Sequence, residues 1–351
     1  MPEQEACGAR VCVLVPARNE ERNLRACVAS LVAQSEEGFA LGREWWIVLV
    51  DDDSTDSTGE IAAEFARENA GVIAMQAPVW KSERHGLTGK NAALWAGVQR
   101  DVARSADWLL FTDADTLHEP GSLHRAITEA ERHELGMLSY SPRQITRGML
   151  QRALMPLVFS ELASVYPPKK VSDPSSPIAA ANGQFMLVRR EVYFAVGGHR
   201  AVADKVLEDV ALAQLVKRQH GICLRYAPEA VSARMYDGAV DMFAGWTKNL
   251  ALLFGNPLFL AANRMLDFCL LFGLPVAMVL LPLTYQKGAA GLLFLRVLFR
   301  YYNRVARSNF PLVDLGLSVL ALPMFAVLLV RSWQRVKVLK QVEWKGREYR
   351  T

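Results

Sequence analysis

Three clusters of polar residues follow short apolar runs in the first third of the chain, and together they suggest chemistry on a phosphorylated ligand. The clusters are Arg18–Glu20, Asp51–Asp56 and Asp113–Asp115. Carboxylate oxygens are the ligands that Mg²⁺ and Mn²⁺ prefer in proteins. A turn that leads from a strand into a helix also presents backbone N–H groups, which bind phosphate. The pattern therefore predicts a site that holds a divalent metal together with a diphosphate.

The acidic run Asp51–Asp56 also has a structural explanation. It contains four carboxylates in six residues, and charges this close repel and raise one another's pKa. Asp53 or Ser54 could cap a following helix, with the last acid of the run in the first turn, where the helix dipole favours an acid. Capping accounts for only part of the run. Asp51 and Asp52 therefore remain candidates to bind a base or a ribose.

Two shorter acidic patterns also have structural alternatives. The pair Asp113 and Asp115 would be typical of a turn if it stood alone, and the pair Glu208 and Asp209 could simply begin the helix that Val210–Val216 predicts. The first pair, however, directly follows an apolar run, as the polar clusters Arg18–Glu20 and Asp51–Asp56 also do. This repetition favours a functional role for Asp113 and Asp115.

The segments that carry the first three clusters alternate between strand and helix. Runs of β-branched and aromatic residues predict strands at Val11–Val15, Trp45–Val50, Val72–Ala74 and Trp108–Phe111. Apolar residues near helical spacing predict helices at Asn19–Ala33, Ser54–Asn69 and Asn91–Val102. Such alternation predicts an α/β fold whose mostly parallel sheet is covered by helices on both faces. Ligands of these sheets bind beyond the carboxyl ends of the strands, where all three polar clusters lie.

The composition changes after about residue 250. Leu266–Leu283 and Leu312–Val330 are apolar runs close to the roughly 20 residues that cross a bilayer, and Ala289–Phe299 is a shorter one. The last 21 residues, Arg331–Thr351, contain seven basic and two acidic side chains, as expected next to an anionic membrane surface. The alternative is a second soluble domain with apolar core helices. We expect a catalytic domain over residues 1–250, a membrane region over 251–335 and a basic cytoplasmic tail over 336–351.

Charge and cysteine content narrow the location and the partners. The formal net charge of +4 is small for 351 residues, so we expect no nucleic-acid partner. The five cysteines show no metal-ligand spacing, which indicates a reducing compartment. Residues 1–10 contain no apolar stretch, so we expect no cleavable signal peptide. These observations predict a multi-pass protein of the cell inner membrane with its catalytic domain in the cytoplasm, and Ala289–Phe299 is the favoured incomplete crossing.

Five segments, in this order, resemble the motifs of family-two inverting glycosyltransferases with the GT-A fold: VPARNE, VDDDSTDST, GLTGKNAALWAGV, FTDAD and VLEDVALA. The resemblance covers about residues 11–250. The later segments NGQFMLVRREVYFAVGGH and WKGREY resemble the membrane-bound branch, and within it the hopene-associated and related carotenoid or lipid glycosyltransferases. The Gln-x-x-Arg-Trp motif of processive members is absent except for a Trp at position 246, which favours transfer of a single sugar.

The resemblance implies a role for each matched residue. Asp209 is the expected general base, beside Glu208, and Asp115 and Asp113 are the expected ligands of Mg²⁺ or Mn²⁺. The residues implied to bind the donor nucleotide are Pro16, Ala17, Glu20, Asp51, Asp52, Gly89, Lys90 and Asp113. Those implied to lie near the acceptor or donor sugar are Asn182, Gly183 and Trp246.

The predicted activity is inverting transfer of one sugar from a nucleotide-sugar to a membrane lipid. A UDP-sugar is favoured over a GDP-sugar, and the acceptor classes are a hopanoid, carotenoid, glycerolipid or polyprenyl phosphate. One alternative is a sugar-phosphate nucleotidyltransferase, although VPARNE lacks the Gly-rich basic loop expected there. Another is a catalytically inactive membrane scaffold, although all the expected acids are present. The motifs identify neither the sugar nor the lipid, since specificity depends on pocket shape.

Overall fold

The computed structural model describes residues 10–78 and 89–339, and the backbone of Gln341–Trp344 and Arg347–Arg350. The predicted absence of a signal peptide concerns residues 1–10, of which 1–9 lie outside the described residues, as do Gly86, Leu87 and Thr88 of the GLTGK segment. The chain forms two compact units. The first extends to Ile145 and includes Pro168–Met235, and the second comprises Thr146–Pro167 and the chain from Tyr236 onward.

The strands are short, and β1–β10 belong to the first unit. They are β1 Val11–Ala17, β2 Trp45–Asp51, β3 Val72–Gln76, β4 Trp108–Phe111, β5 Thr116–His118, β6 Met137–Ser141, β7 Arg143–Gln144, β8 Met186–Arg189, β9 Ile222–Tyr226, β10 Val231–Ala233, β11 Gln341–Trp344 and β12 Arg347–Arg350.

Helices α6 and α11–α15 belong to the second unit, and the others to the first. They are α1 Leu24–Val32, α2 Thr58–Glu68, α3 Gly89–Gly97, α4 Asp101–Arg104, α5 Ser122–Arg132, α6 Gly148–Val165, α7 Pro168–Val171, α8 Arg190–Ala195, α9 Gly198–Ala201, α10 Glu208–Lys217, α11 Ala239–Leu253, α12 Pro257–Leu280, α13 Thr284–Val305, α14 Leu312–Ser318 and α15 Leu322–Trp333.

A seven-stranded sheet with the order β3-β2-β1-β4-β8-β6-β9 forms the centre of the first unit. Every neighbouring pair is parallel except those that β8 makes with β4 and β6. Strands β1, β2, β4 and β8 are almost wholly buried, as expected for a sheet covered by helices on both faces, and Trp45 and Trp108 are fully enclosed. The predicted α/β fold with a mostly parallel sheet is therefore confirmed. The order also places the carboxyl ends of β2, β1 and β4 side by side, with Ala17 opposite Asp51.

The second helix begins later than predicted. It starts at Thr58 rather than Ser54, and its N-cap residue, Ser57, makes no side-chain capping bond. The Thr58 N–H donates instead to Oδ1 of Asp56 at 3.0 Å, and Asp53 has a left-handed backbone with φ 57°. The structural alternative, in which Asp53 or Ser54 caps this helix and Asp56 lies in its first turn, is therefore not what the structure shows.

The loop before this helix is held by side chains of the neighbouring β1–α1 connection. The Asn19 N–H donates to Oγ of Ser54 at 3.0 Å, and Oδ1 of Asn19 accepts from the Thr55 N–H at 2.9 Å. Because these groups bond across the two loops, the segment does not continue into helix. Similar polar turns shorten the first predicted helix to Leu24–Val32, and the third divides into α3 and α4.

The second unit is mainly helical. Two of its helical segments are long and apolar enough to cross a membrane by length and composition: Pro257–Leu280, with mean hydropathy 1.5, and Leu312–Val338, with mean hydropathy 2.3. The latter continues through a 3₁₀ turn at Val319–Ala321 and a π-helical turn at Gln334–Val338. In the most apolar window of each segment, 17% and 50% of the residues are buried within the chain. The predicted short apolar run 289–299 lies inside α13.

The acids that interrupt the apolar runs are neutralised by arginines of the same unit. Asp267 is buried, and its carboxylate bonds to Arg264 and Arg300 at 2.6 Å each and to Arg304 at 3.0 Å. These pairs join α12 to α13. Arg300 and Arg304 of α13 are therefore partners of an acid in the neighbouring helix.

Candidate active site

The carboxyl ends of β1 and β2 are tied together by backbone and side-chain hydrogen bonds. The Asp52 N–H donates to the Ala17 carbonyl at 2.8 Å, and Nη1 of Arg18 donates to the carbonyls of Asp52 and Asp53. Oδ1 of the buried Asp51 accepts from the Ser54 N–H at 3.0 Å, so this carboxylate shapes the loop that follows β2. Two of the predicted donor-binding acids thus lie beside the end of β1.

Pro16 and Glu20 complete this part of the sheet edge. Pro16 is the penultimate residue of β1 and is half-buried. The Glu20 N–H donates to Oγ1 of Thr58 at 2.8 Å, and the Glu20 carboxylate accepts from Nδ2 of Asn23 at 3.0 Å. The Glu20 carboxylate is also close enough to Asp115 to raise its pKa. The end of β1 therefore reaches the acidic pair that follows β4.

Lys90 joins two acidic pairs that are distant in the sequence. Its Nζ lies 2.7 Å from Oδ1 of Asp113 and 2.8 Å from Oε1 of Glu208. Burial alone would lower the pKa of Lys90, but the two carboxylates outweigh burial and hold that pKa well above its ordinary value. Burial likewise would raise the pKa of Glu208, yet Lys90 holds it below its usual range. One cation therefore links the start of α3, the end of β4 and the start of α10.

Asp209 is fixed by two backbone donors. Its Oδ2 accepts from the Gly183 N–H at 3.0 Å, and its Oδ1 accepts from the Val210 N–H at 2.8 Å. Burial, followed by the neighbouring charge of Glu208, raises the pKa of Asp209 to about 6. The helix that Val210–Val216 predicts is present as α10, and both acids lie in its first turn. A carboxylate of this kind is ionised at neutral pH and is still basic enough to accept a proton.

Gly183 lies in the middle of this group. A Cβ atom at this position would lie 3.2 Å from Nζ of Lys90 and 3.6 Å from Oδ2 of Asp209. The 3.2 Å contact is tighter than ordinary van der Waals packing, so a side chain would displace the ammonium group. The preceding residue, Asn182, builds the turn: its N–H donates to Oγ of Ser139 at 2.8 Å and its Oδ1 accepts from the Gln184 N–H at 3.0 Å.

Asp115 has the weakest compensation of the acids in this group. Within residues 10–78 and 89–339, its carboxylate accepts only long bonds from Nε2 of Gln184, at 3.4 and 3.5 Å. Burial, then the negative charges of Asp113 and Glu20, raise the pKa of Asp115 to about 7. A carboxyl group with a raised pKa is suited to coordinate a cation, because the bound cation would stabilise the ionised form of the carboxyl group.

The donor set also fits a particular mode of metal binding. Within the described residues, no three His, Cys, Asp or Glu side chains are grouped so that they could hold a metal ion by themselves. Mg²⁺ commonly takes one or two carboxylates and completes its coordination with water and substrate phosphate. Asp113 and Asp115 supply such a pair and no more. They fit an ion that is shared with a phosphorylated ligand.

Two residues near these acids belong to segments already noted in the sequence: the resemblance puts Gln184, with Asn182 and Gly183, near a sugar, and Arg18 is in the first polar cluster. Their contacts are what the sequence does not indicate. Gln184 contacts Asp115, and its Oε1 accepts from Nε2 of Gln144 at 3.1 Å. It follows Asn182 and Gly183 directly, so its position in the sequence was the available signal. Arg18, within the first polar cluster, ties the β1 and β2 ends together, but no spacing rule indicates that its partners are carbonyl groups.

Most of the predicted residues of the first unit are brought together. Contacts link Lys90, Asp113, Glu208, Asp209 and Gly183, and Asp115 adjoins them. The buried Gly89 begins α3 beside Lys90. The predicted nucleotide-binding residues Pro16, Ala17, Glu20, Asp51 and Asp52 line the adjacent strand ends.

Trp246 belongs to the second unit. Its indole is buried, and its Nε1 donates to Sδ of Met155 at 3.4 Å, which packs α11 against α6. Its predicted contact with a sugar stays a prediction.

Comparison with known proteins agrees with this arrangement. Residues 12–196, more than half of the chain, match glycosyl transferase family 2. The 4,4'-diaponeurosporenoate glycosyltransferase of Staphylococcus haemolyticus is 26% identical over 364 aligned positions, which cover 97% of this chain and 88% of that protein. The protein of the same name from Staphylococcus aureus strain USA300 is 24% identical over 348 positions, which cover 96% and 87%.

A solved structure shares the fold. The mannosyltransferase PcManGT from Pyrobaculum calidifontis, in complex with GDP-Man and Mn²⁺, has a TM-score of 0.54 and 16% sequence identity to this chain. The similarity covers 95% of this chain and 88% of PcManGT. The acid-rich sheet edge, the family match and the shared fold lead to one conclusion: this chain belongs to glycosyl transferase family 2, has the GT-A fold and is a glycosyltransferase.

Proposed function

We propose that the protein transfers a single sugar from a UDP-sugar to a membrane lipid, with inversion at the anomeric carbon. The observation that carries this proposal is the bridge from Lys90 to Asp113 and Glu208. The bridge supports the proposal because it links Asp113, one of the acids proposed to hold the metal, to Glu208, the neighbour of Asp209. A donor and an acceptor must meet at such a junction for transfer to occur.

The donor nucleotide would lie along the ends of β2, β1 and β4. Asp51 or Asp52 would bind the base or ribose, and Gly89 and Lys90 would adjoin the phosphates. Asp115 and Asp113 would hold Mg²⁺ or Mn²⁺, which offsets the negative charge on a diphosphate leaving group. The structural neighbour PcManGT was solved with GDP-Man and Mn²⁺, which is in keeping with a nucleotide-sugar donor and a divalent metal.

Asp209 would act as the general base. As the acceptor oxygen attacks the anomeric carbon, the proton of the acceptor hydroxyl passes to the carboxylate of Asp209. The bond between that carbon and the diphosphate breaks, and the nucleoside diphosphate leaves with the electron pair. The N–H groups of Gly183 and Val210 would orient the carboxylate, and Glu208 would stay ionised through its pair with Lys90.

The lipid acceptor is proposed on two grounds. The relatives from Staphylococcus are named for a glycosyltransfer to 4,4'-diaponeurosporenoate. The second unit also contains two helical segments of membrane-spanning length that carry exposed apolar side chains, such as Val279 and Leu312. We place the catalytic domain, residues 1–250, on the cytoplasmic side of the inner membrane, with residues 251–335 in the membrane and 336–351 as a basic tail.

A transfer assay with the full-length protein tests this proposal. Purified protein in detergent would be mixed with Mn²⁺, a bacterial lipid extract and one of a panel of radiolabelled UDP- and GDP-sugars. The expected result is label in the organic phase with a UDP-sugar, as one sugar per lipid, and none with Asp209→Asn. Label that appears only in water-soluble sugar nucleotides would contradict the proposal, and so would full activity of the variant.

A further inference from the structure

A groove between α12 and α15 has the features of a lipid-binding site. It has a volume of about 710 Å³, in the range of small-molecule sites. Both sides are stripes at helical spacing, and all of the lining residues belong to the second unit. The lining from α12 is Leu258, Ala261, Ala262 and Met265, and the lining from the other helix and its extension is Ala326, Val327, Val330, Arg331, Gln334, Arg335 and Leu339.

The floor of the groove is made of small residues and its walls of larger apolar ones. Ala261 and Ala326 are buried where the two helices approach each other. The walls remain open to solvent, and Val327 is 62% and Leu339 56% exposed. Contiguous apolar walls of this kind are unfavourable in water and typical of a surface that binds an apolar partner. A hydrocarbon chain that lies along the groove would cover them.

One end of the groove is cationic. Arg331 and Arg335 are four residues apart, so they lie on the same face of the helix. Both are exposed, and the lining contains no acidic residue. Within the described part of the chain, neither guanidinium group has an ion-pair partner. Arginine forks match phosphate oxygens well, so the charge of this end complements a phosphate headgroup.

The helix geometry changes at the cationic end. Gln334–Val338 forms a π-helical turn, which is rare and is frequent at functional sites. This turn contains two of the lining residues, Gln334 and Arg335. The wider backbone thus includes one of the two arginines of the lining.

We propose that this groove binds an anionic phospholipid of the surrounding bilayer. One acyl chain would lie against Leu258, Met265 and Val327, and the phosphate would bind Arg331 and Arg335. This inference rests on the membrane location proposed above, but it does not depend on which lipid accepts the sugar. The bound phospholipid would fix the second unit at the level of the headgroups.

The test compares two lipids that differ in headgroup charge. Full-length protein would be delipidated in a neutral detergent, and binding of dioleoyl phosphatidylglycerol and of dioleoyl phosphatidylcholine would be measured by native mass spectrometry. We expect one phosphatidylglycerol per chain at a lower concentration than any phosphatidylcholine. The double variant Arg331→Gln/Arg335→Gln should weaken phosphatidylglycerol binding roughly thirtyfold. Each basic residue near an anionic lipid surface contributes about 1 kcal/mol, and the loss of two such residues corresponds to a roughly thirtyfold change in affinity.

A matched control is available in α13. Lys287→Gln/Arg296→Gln removes two positive charges from exposed positions outside the groove, and it should leave the affinity within about twofold. A second variant, Ala262→Phe, fills the groove without a change of charge and should also weaken binding. Equal binding of the two lipids, or equal losses in the two double variants, would overturn the proposal. Undiminished binding to Ala262→Phe would overturn the placement of the acyl chain.

Discussion

Lys90→Gln should lower the stability of the first unit more than any exposed lysine substitution. Lys90 bridges Asp113 and Glu208 at 2.7 and 2.8 Å, and its side chain is only 22% exposed. The variant leaves Asp113, Glu208 and Asp209 crowded together without their shared cation. Removal of one partner from a buried ion pair costs about 3–5 kcal/mol. Since this pair is partly solvated, we expect about 2–3 kcal/mol at pH 7.5.

The penalty should depend on pH in a defined direction. Lys90 holds the pKa of Glu208 below its usual range, so its stabilising effect is fully present above the ordinary glutamate pKa. In the variant, burial raises the pKa of Glu208 instead. As the pH falls, Glu208 takes up a proton, and this reduces the repulsion between the carboxylates and the cost of burying the charge of Glu208. The difference between variant and wild type should therefore be largest near pH 8 and become smaller toward pH 5.

Thermal unfolding of the full-length protein in detergent measures this effect. A loss of 2–3 kcal/mol corresponds to a fall in Tm of roughly 4–12 °C for a unit of this size. The control is Lys205→Gln, which breaks the exposed pair with Asp204, and which should shift Tm by no more than about 2 °C. Equal shifts for the two variants would refute the reasoning, and so would a Lys90→Gln penalty that grows as the pH is lowered.

Three further predictions concern catalysis. Asp209→Asn should reduce kcat by about 10³-fold, within the usual contribution of a general base, while the KM for the donor changes little; a fall in donor affinity alone would contradict the assigned role. The wild-type kcat/KM should decline tenfold per pH unit below about pH 6, because the pKa of Asp209 in the free enzyme is raised to about 6 and only the ionised form accepts a proton; a profile flat to pH 5 would contradict this. Gly183→Ala should lower kcat about tenfold, since its Cβ would lie 3.2 Å from Nζ of Lys90 and shift that ammonium group by a few tenths of an ångström; Gly238→Ala, at a position where a Cβ meets nothing within 4 Å, is the matched control and should leave kcat unchanged.

Strands β1, β2 and β4 could be predicted because they are buried on both faces. Trp108–Phe111 has the predicted bounds, and Val11–Ala17 and Trp45–Asp51 are each only slightly longer than predicted. Helix starts were less predictable. The run Asp51–Asp56 contains good capping residues, yet bonds to Asn19 across two loops hold Ser54 and Thr55 outside the helix. Such contacts between segments 35 residues apart leave no local pattern in the sequence.

The sequence predicts which residues belong to the candidate site, but not the contacts that these residues make with one another. Asp113, Asp115 and the pair Glu208 and Asp209 follow from motifs and from their places at element ends. The sequence gives no sign that Lys90 bonds to two of these acids, because the partners lie 23 and 118 positions away. The inclusion of α6, residues 148–165, in the second unit was also not predicted, since its composition does not differ from that of a helix in the first unit.

Mn²⁺ binding by the full-length protein, followed by electron paramagnetic resonance, tests the central claim most directly. If Asp113 and Asp115 bind a metal only together with a diphosphate, the wild-type protein should bind Mn²⁺ weakly in the absence of UDP and at least tenfold more tightly in its presence. Asp115→Ala should abolish this enhancement, whereas Asp204→Ala, at an exposed acid, should retain it. Tight binding without UDP, or an unchanged enhancement in Asp115→Ala, would contradict the account.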